Sequence, residues 1–142
     1  MKKKMAFIIL SCLAALIFTG CVTTLQSYKP KTPHEASIKE LLVKWESTWN
    51  THDVNGHLAL WNAKAQIMYG KDRKIATKDE YSRILPERMN ANPSINLGAP
   101  KIKVSGHKAD VSVNMSIGSY QSPTIFHLVM ENGNWTIISW EY

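Results

Sequence analysis

At Ser94 the apolar residues of this chain stop recurring every three or four positions and begin to recur every second one. Helical period first and strand period afterwards restricts the chain to an α+β arrangement, with helices laid on one face of an antiparallel sheet. Upstream of the switch, Thr32-Pro33-His34-Glu35 reads as a capping box with proline at the first helical position, which satisfies amides that a first turn leaves free. Ile38, Leu41, Leu42, Trp45 and Trp49 follow on a single stripe. Asn50-Thr51-His52-Asp53 breaks that helix, and Asp53 is placed to cap a short second one carrying Leu58 and Trp61 as far as Asn62. Ala65 to Tyr69 reads as a strand ended by Gly70, with a polar turn over 71–74. Thr77 to Glu80 is a second capping box, opening a helix with Tyr81, Ile84, Leu85 and Met89 that Pro86 is expected to kink or end by removing an amide donor.

Downstream, Lys101 to Val104 alternates, 105–108 turns, and Asp110 to Ile117 alternates without error, the pattern of a strand with one wet and one buried face. Thr124 to Met130 and Trp135 to Trp140 form a last hairpin around Glu131-Asn132-Gly133-Asn134, a strong turn signal. With Met130 opposite Trp135 and a regular register, Phe126, Leu128, Met130, Trp135 and Ile137 share one face. Ile125, His127, Val129, Ile138 and Trp140 share the other. Both faces are apolar, so one is core, and Ile125, His127, Ile138 and Trp140 become candidate interface residues for a homodimer through the sheet. His127 stays open between interface residue, core histidine and catalytic base.

The N-terminus carries a different message. Met1-Lys2-Lys3-Lys4 precedes an apolar run from Met5 to Phe18, then Thr19-Gly20-Cys21: a charged region, a hydrophobic region and a small-residue cleavage site. Phe18-Thr19-Gly20-Cys21 resembles the lipobox of bacterial lipoproteins, which implies lipid attachment at Cys21. An uncleaved anchor helix over Met5 to Val22 and an ordinary secretory signal are the rival readings. The first would be at the short end of the roughly 17–25 residues that span a bilayer. The chain thus divides into a signal peptide over 1–20, a lipidated cysteine with a tether over 21–33, and one domain over 34–142. Fully extended, the tether would hold the domain up to ~40 Å from the bilayer, with Lys29 and Lys31 near anionic headgroups. By resemblance to Gram-negative sorting, Val22 after the cysteine implies an outer-membrane lipoprotein facing the periplasm, if the source has such a membrane.

This division settles the thiols and most of the charge. Both cysteines, Cys12 and Cys21, lie in the first 21 residues, so the domain holds no disulfide, thiolate nucleophile or cysteine-bound metal. Of 17 basic residues, Lys2, Lys3 and Lys4 leave with the signal and Lys29 and Lys31 lie in the tether. The domain then keeps 12 against all 11 acidic residues, a balance of +1. No basic stripe of the kind nucleic-acid binding needs is present.

Several segments taken in order carry a resemblance. They are the Trp45 to Asp53 helix end, Ala65 to Gly70, Thr77 to Tyr81, Lys108 to Val111, and Asn132-Gly133-Asn134-Trp135-Thr136-Ile137. Over residues 35–142 they are similar to the nuclear transport factor two-like superfamily, which includes polyketide-cyclase-like proteins and ketosteroid isomerase. The resemblance implies a cystatin-like cone, in which a curved antiparallel sheet wraps around N-terminal helices and leaves an apolar pocket at its wide end. Enzymes of this kind place a carboxylate inside the cone, where burial tunes its proton affinity. Here Asp110 falls on the polar face of its strand, Asp53 on a cap, and Asp72, Asp79, Glu80 and Glu131 on turns or caps; Glu141 sits at a terminal strand end. No residue is therefore assigned a catalytic role, and a lyase, isomerase or hydrolase is the alternative to a ligand- or partner-binding module. His34, His52, His57 and His107 are expected at caps, turns or polar helix positions, and no metal or other cofactor is expected. Trp45, Trp49, Trp61, Tyr69 and Tyr81 read as core. In the sharper reading, Trp49, Trp61 and Tyr69 line a pocket for a small apolar ligand.

Overall fold

The computed structural model describes residues 23–142; Cys21 and the 1–20 signal lie outside the described residues. Three helices and seven strands follow in the order α1 (Pro33–Asn50), α2 (Val54–Ala59), β1 (Trp61–Tyr69), β2 (Lys74–Thr77), α3 (Lys78–Ala91), β3 (Ile95–Leu97), β4 (Lys101–Ser105), β5 (Lys108–Ile117), β6 (Tyr120–Glu131) and β7 (Asn134–Glu141). The strands form one curved sheet in the order β2-β1-β7-β6-β5-β3, with β4 also on β5. The expected α+β class holds. The sheet is mixed rather than wholly antiparallel, because β1 and β7 run parallel.

Both helices start where read, but only the second start is a reciprocal capping box, because the Glu35 carboxylate turns to the Lys31 amide and the Tyr28 hydroxyl instead of the Thr32 amide. The Thr32 hydroxyl accepts from the Glu35 amide, and Thr77 and Glu80 close a reciprocal box on α3. Those hydrogen bonds, first from the Thr77 backbone and then from its side chain, hold the Glu80 carboxyl below its usual range. Asp53 caps α2 by accepting from the Gly56 amide at 2.9 Å. That helix ends at Ala59 instead of reaching Asn62, because Trp61 and Asn62 open β1. The Ile137 amide donates to the Leu60 carbonyl at 2.9 Å, locking this start to β7. Pairing along a strand outweighs three more residues of a six-residue helix. Pro86 lies within α3 and does not end it.

Two tight turns set the register of the long hairpins. Gly118, at φ +58°, turns β5 into β6, and Asn132 and Gly133, both at positive φ, turn β6 into β7, as a two-residue primed turn requires. β6 begins at Tyr120 rather than Thr124 and includes Pro123. β7 pairs with β6 only from Ile125 onward, so proline sits past the end of β7, where its missing amide breaks no bond on that side.

The core joins the α1 stripe Ile38, Leu41, Leu42, Trp45 and Trp49 to Ile67, Tyr81, Leu85, Met89, Val111, Val113, Met115, Phe126, Leu128, Ile137 and Trp140. α1 also fastens the free edge of β3. The Asn50 side chain donates to the Ile95 carbonyl at 2.8 Å and accepts from its amide at 2.7 Å, and Glu46 accepts from the Leu97 amide at 2.6 Å.

The tether expected over 21–33 is not free chain where the structure describes it. Leu25 is 1% exposed and belongs to the core. Its amide donates to the Leu97 carbonyl at 3.1 Å, and the Ala99 amide donates to the Thr23 carbonyl at 2.9 Å, so Thr24 pairs antiparallel with Gly98. The Lys39 ammonium holds the Gln26 and Tyr28 carbonyls at 3.0 and 2.7 Å, and Glu35 accepts from the Tyr28 hydroxyl at 2.8 Å and the Lys31 amide at 2.7 Å. Burying Leu25 and satisfying these backbone groups outweighs the entropy of a loose linker.

Candidate functional site

Two places in the fold gather chemistry: the outer face of the sheet and the interior of the cone. On the outer face, Asp110 of β5 stands opposite His127 of β6, and Ser139 of β7 lies on the other side of His127. The imidazole Nδ1 is 2.7 Å from Asp110 Oδ1 and its Nε2 is 3.1 Å from Glu141 Oε1. Two carboxylates accept, so the ring donates from both nitrogens when it is protonated. Partial burial pulls the His127 pKa down, but the hydrogen bonds and charges of Asp110 and Glu141 outweigh it, and the pKa is raised. Ile125, Val129 and Ile138 stand half-buried around this cluster.

A bulge builds it. Leu128 faces Ile137, but His127 faces Ser139 and Phe126 faces Trp140, so β7 carries one extra residue at this level. Such a residue re-aims everything beyond it. Trp140, expected on the outer interface with Ile125, His127 and Ile138, is turned inward and is 3% exposed. Its ring lies 5.8 Å from Phe126 and 5.5 Å from Trp45, and its indole N–H donates to the Met68 carbonyl at 2.7 Å. The same shift delivers Glu141 to His127. Asp110 is solvent-exposed, as its strand parity required.

The interior is aromatic. Trp45, Trp49, Trp61, Tyr81 and Phe126 are fully buried, with Trp45 and Trp49 stacked at 5.8 Å and Trp61 edge-on to Trp140 at 5.9 Å. Trp49 and Trp61 therefore stand within the core and not at a rim; the Trp49 indole donates to the Asn92 carbonyl at 2.7 Å. Tyr69 is half-buried, and with Ile75, Ala76, Glu80, Arg83 and Ile84 it lines a shallow hollow of about 240 Å³.

His57 is the residue that sequence reasoning misplaced. It is 0% exposed, 5.1 Å from the Trp45 ring and 5.5 Å from Trp49. Its Nδ1 is 3.1 Å from Thr48 Oγ1, while its Nε2 is buried without a hydrogen-bond partner. Burial pushes its pKa down to about 4, against the opposing pull of the Trp45 backbone and the Asp53 charge. The signal that could have found it is the Asp53 cap, because a cap there turns the next face of α2 back onto α1. Among the described residues, the buried polar side chains are His57, Asn62, Ser122 and Thr124, with no carboxylate, and no cluster suited to a metal ion occurs.

No protein-family model matches the sequence, and no curated protein matches it. Solved structures do match. A protein of unknown function with a cystatin-like fold from Nostoc punctiforme is 16% identical, covering 77% of this chain and 90% of that one, with a TM-score of 0.64. A nuclear transport factor two-like protein of unknown function from Shewanella baltica is 17% identical over 80% of this chain and 96% of that one, with a TM-score of 0.62. A candidate ketosteroid isomerase from Shewanella frigidimarina is 17% identical over 74% and 94%, with a TM-score of 0.60. The domain therefore has the nuclear transport factor two-like, cystatin-like fold.

Proposed function

We propose that this chain is a membrane-anchored lipoprotein of the cell envelope whose domain is a binding module and not a catalyst. The observation that carries this reading is the cone interior, which is packed with tryptophan, tyrosine and phenylalanine and holds no buried carboxylate among the described residues. Proton-transfer chemistry of the ketosteroid-isomerase type needs such an acid at the reacting atom. The outer face supports a partner instead: Ile125, Val129 and Ile138 form an apolar rim around the charged cluster of Asp110, His127 and Glu141. A second copy of the chain is the favoured occupant, since a two-fold interface places the same patch on both sides. Cys21, after a charged and apolar leader, supports the lipid anchor, and Val22 favours the outer membrane where one exists.

Light scattering on the detergent-solubilised full-length protein tests the module. A dimer that Ile138→Asp converts to monomer is expected; a monomer at all accessible concentrations would remove the sheet interface. One observation favours the alternative of a small-molecule lyase, isomerase or hydrolase: the neutral His57 imidazole with its free Nε2 inside the cone. Saturable shifts of the His57 resonances by a small apolar ligand would move the assignment that way.

A further inference from the structure

The anchor and the domain meet almost without a spacer. Thr23 is held by the Ala99 amide, Thr24 pairs with Gly98, and Leu25 is sunk in the core beside Leu97. The strap continues through Lys31 under the Lys39 ammonium and the Glu35 carboxylate. Hydrogen bonds to Glu35, first from the Lys31 amide and then from the Tyr28 hydroxyl, hold its carboxyl below the usual range against the opposing pull of desolvation, so the strap is charge-assisted near neutral pH. Two peptide steps separate Cys21 from Thr23, a reach of at most about 7 Å.

From this we infer that the bilayer surface is a partner of the domain's β3–β4 edge: the lipid on Cys21 seats the seam of Thr23, Thr24, Gly98 and Ala99 against the headgroups and orients the whole cone. The inference rests on the reading of Cys21 as acylated. β4 is an edge strand whose exposed residues at this end are Lys101 and Lys103, cations suited to anionic headgroups. The opposite edge of the sheet, β2 and the turn before it, lies five strand spacings away along the path β2-β1-β7-β6-β5-β3, roughly 24 Å at the usual spacing. The domain therefore stands with β3 and β4 down and the Lys71-Asp72 turn up. The outer face of the sheet, with His127, rises beside the membrane and is open to a second copy anchored in the same leaflet. A free tether would instead let every orientation be sampled.

The test uses the acylated full-length protein in vesicles containing anionic lipid and a headgroup-borne quencher. Fluorescent probes are placed singly at Lys101→Cys and Asp72→Cys, which is clean because the domain has no thiol of its own. Incorporation of labelled fatty acid, with Cys21→Ser as control, reads the anchor separately. Quenching several-fold stronger at position 101 than at 72 is expected, and a Gly-Ser insert of about ten residues between Val22 and Thr23 should erase the difference. Acyl incorporation with equal quenching, or with a difference that survives the insert, overturns the orientation alone. Absence of acylation overturns the anchor and the orientation together.

Discussion

His127 presents Nδ1 to Asp110 Oδ1 at 2.7 Å across the β5–β6 pair and Nε2 to Glu141 Oε1 at 3.1 Å across the β6–β7 pair. One cation between two anions, on a half-open surface, makes a pH-sensitive contact of the outer face. Because the folded pKa is raised, the stability this pair contributes is present below the unfolded value of about 6.5 and is lost as pH rises through the folded one. A proton titration of the imidazole resonances should place His127 above 6.5. Asp110→Asn and Glu141→Gln should each lower it; if neither moves it, the pairing seen in the structure is absent in solution.

His57 carries the opposite sign. Its folded pKa of about 4 lies below the unfolded 6.5, so the unfolded chain binds the proton more readily. Stability is full above about 6.5 and falls as pH drops toward 4, by about 3 kcal/mol from this group. His57→Leu should flatten urea-unfolding stability between pH 6.5 and 4. The Thr48 hydroxyl that faces Nδ1 keeps bonds to the Lys44 and Trp45 carbonyls, so no orphaned donor confuses the result. An unchanged pH slope in the variant would refute the assignment.

The bulge in β7 predicts an asymmetry between neighbours. Trp140→Ala removes a buried ring that touches Trp45, Trp61 and Phe126 and should cost about 3–5 kcal/mol. Ile138→Ala, on the half-buried outer face, should cost the monomer well under half of that. A regular register would place Trp140 on the outer face with Ile138, so comparable losses at the two positions would argue against the bulge.

Asn50 acts as a clamp, since one amide side chain satisfies both the N–H and the C=O of Ile95. Asn50→Ala should cost about 1–3 kcal/mol and speed hydrogen exchange at the Ile95 amide more than at Val113 in β5. Equal protection at Ile95 in both proteins would count against the clamp.

The α+β order, the Thr32 and Thr77 helix caps, the Asp53 cap, the Asn132-Gly133 turn and the parity of β5 were all legible in the chain. Each depends on residues within a few positions of one another: a hydroxyl reaching back one turn, a glycine free to take positive φ, side chains alternating across a pleat. What lay beyond the sequence was pairing between segments far apart. One extra residue in β7 moved Trp140 from the surface to the core and brought Glu141 to His127. The parallel partnership of Trp61 with Ile137 took three residues from α2. The seam of Thr23 to Leu25 on Gly98 turned a polar, proline-bearing stretch from a tether into part of the domain. Local propensity differs by fractions of a kcal/mol per residue, whereas burying one leucine or tryptophan is worth several times that. Where the two compete, the partner across the sheet decides.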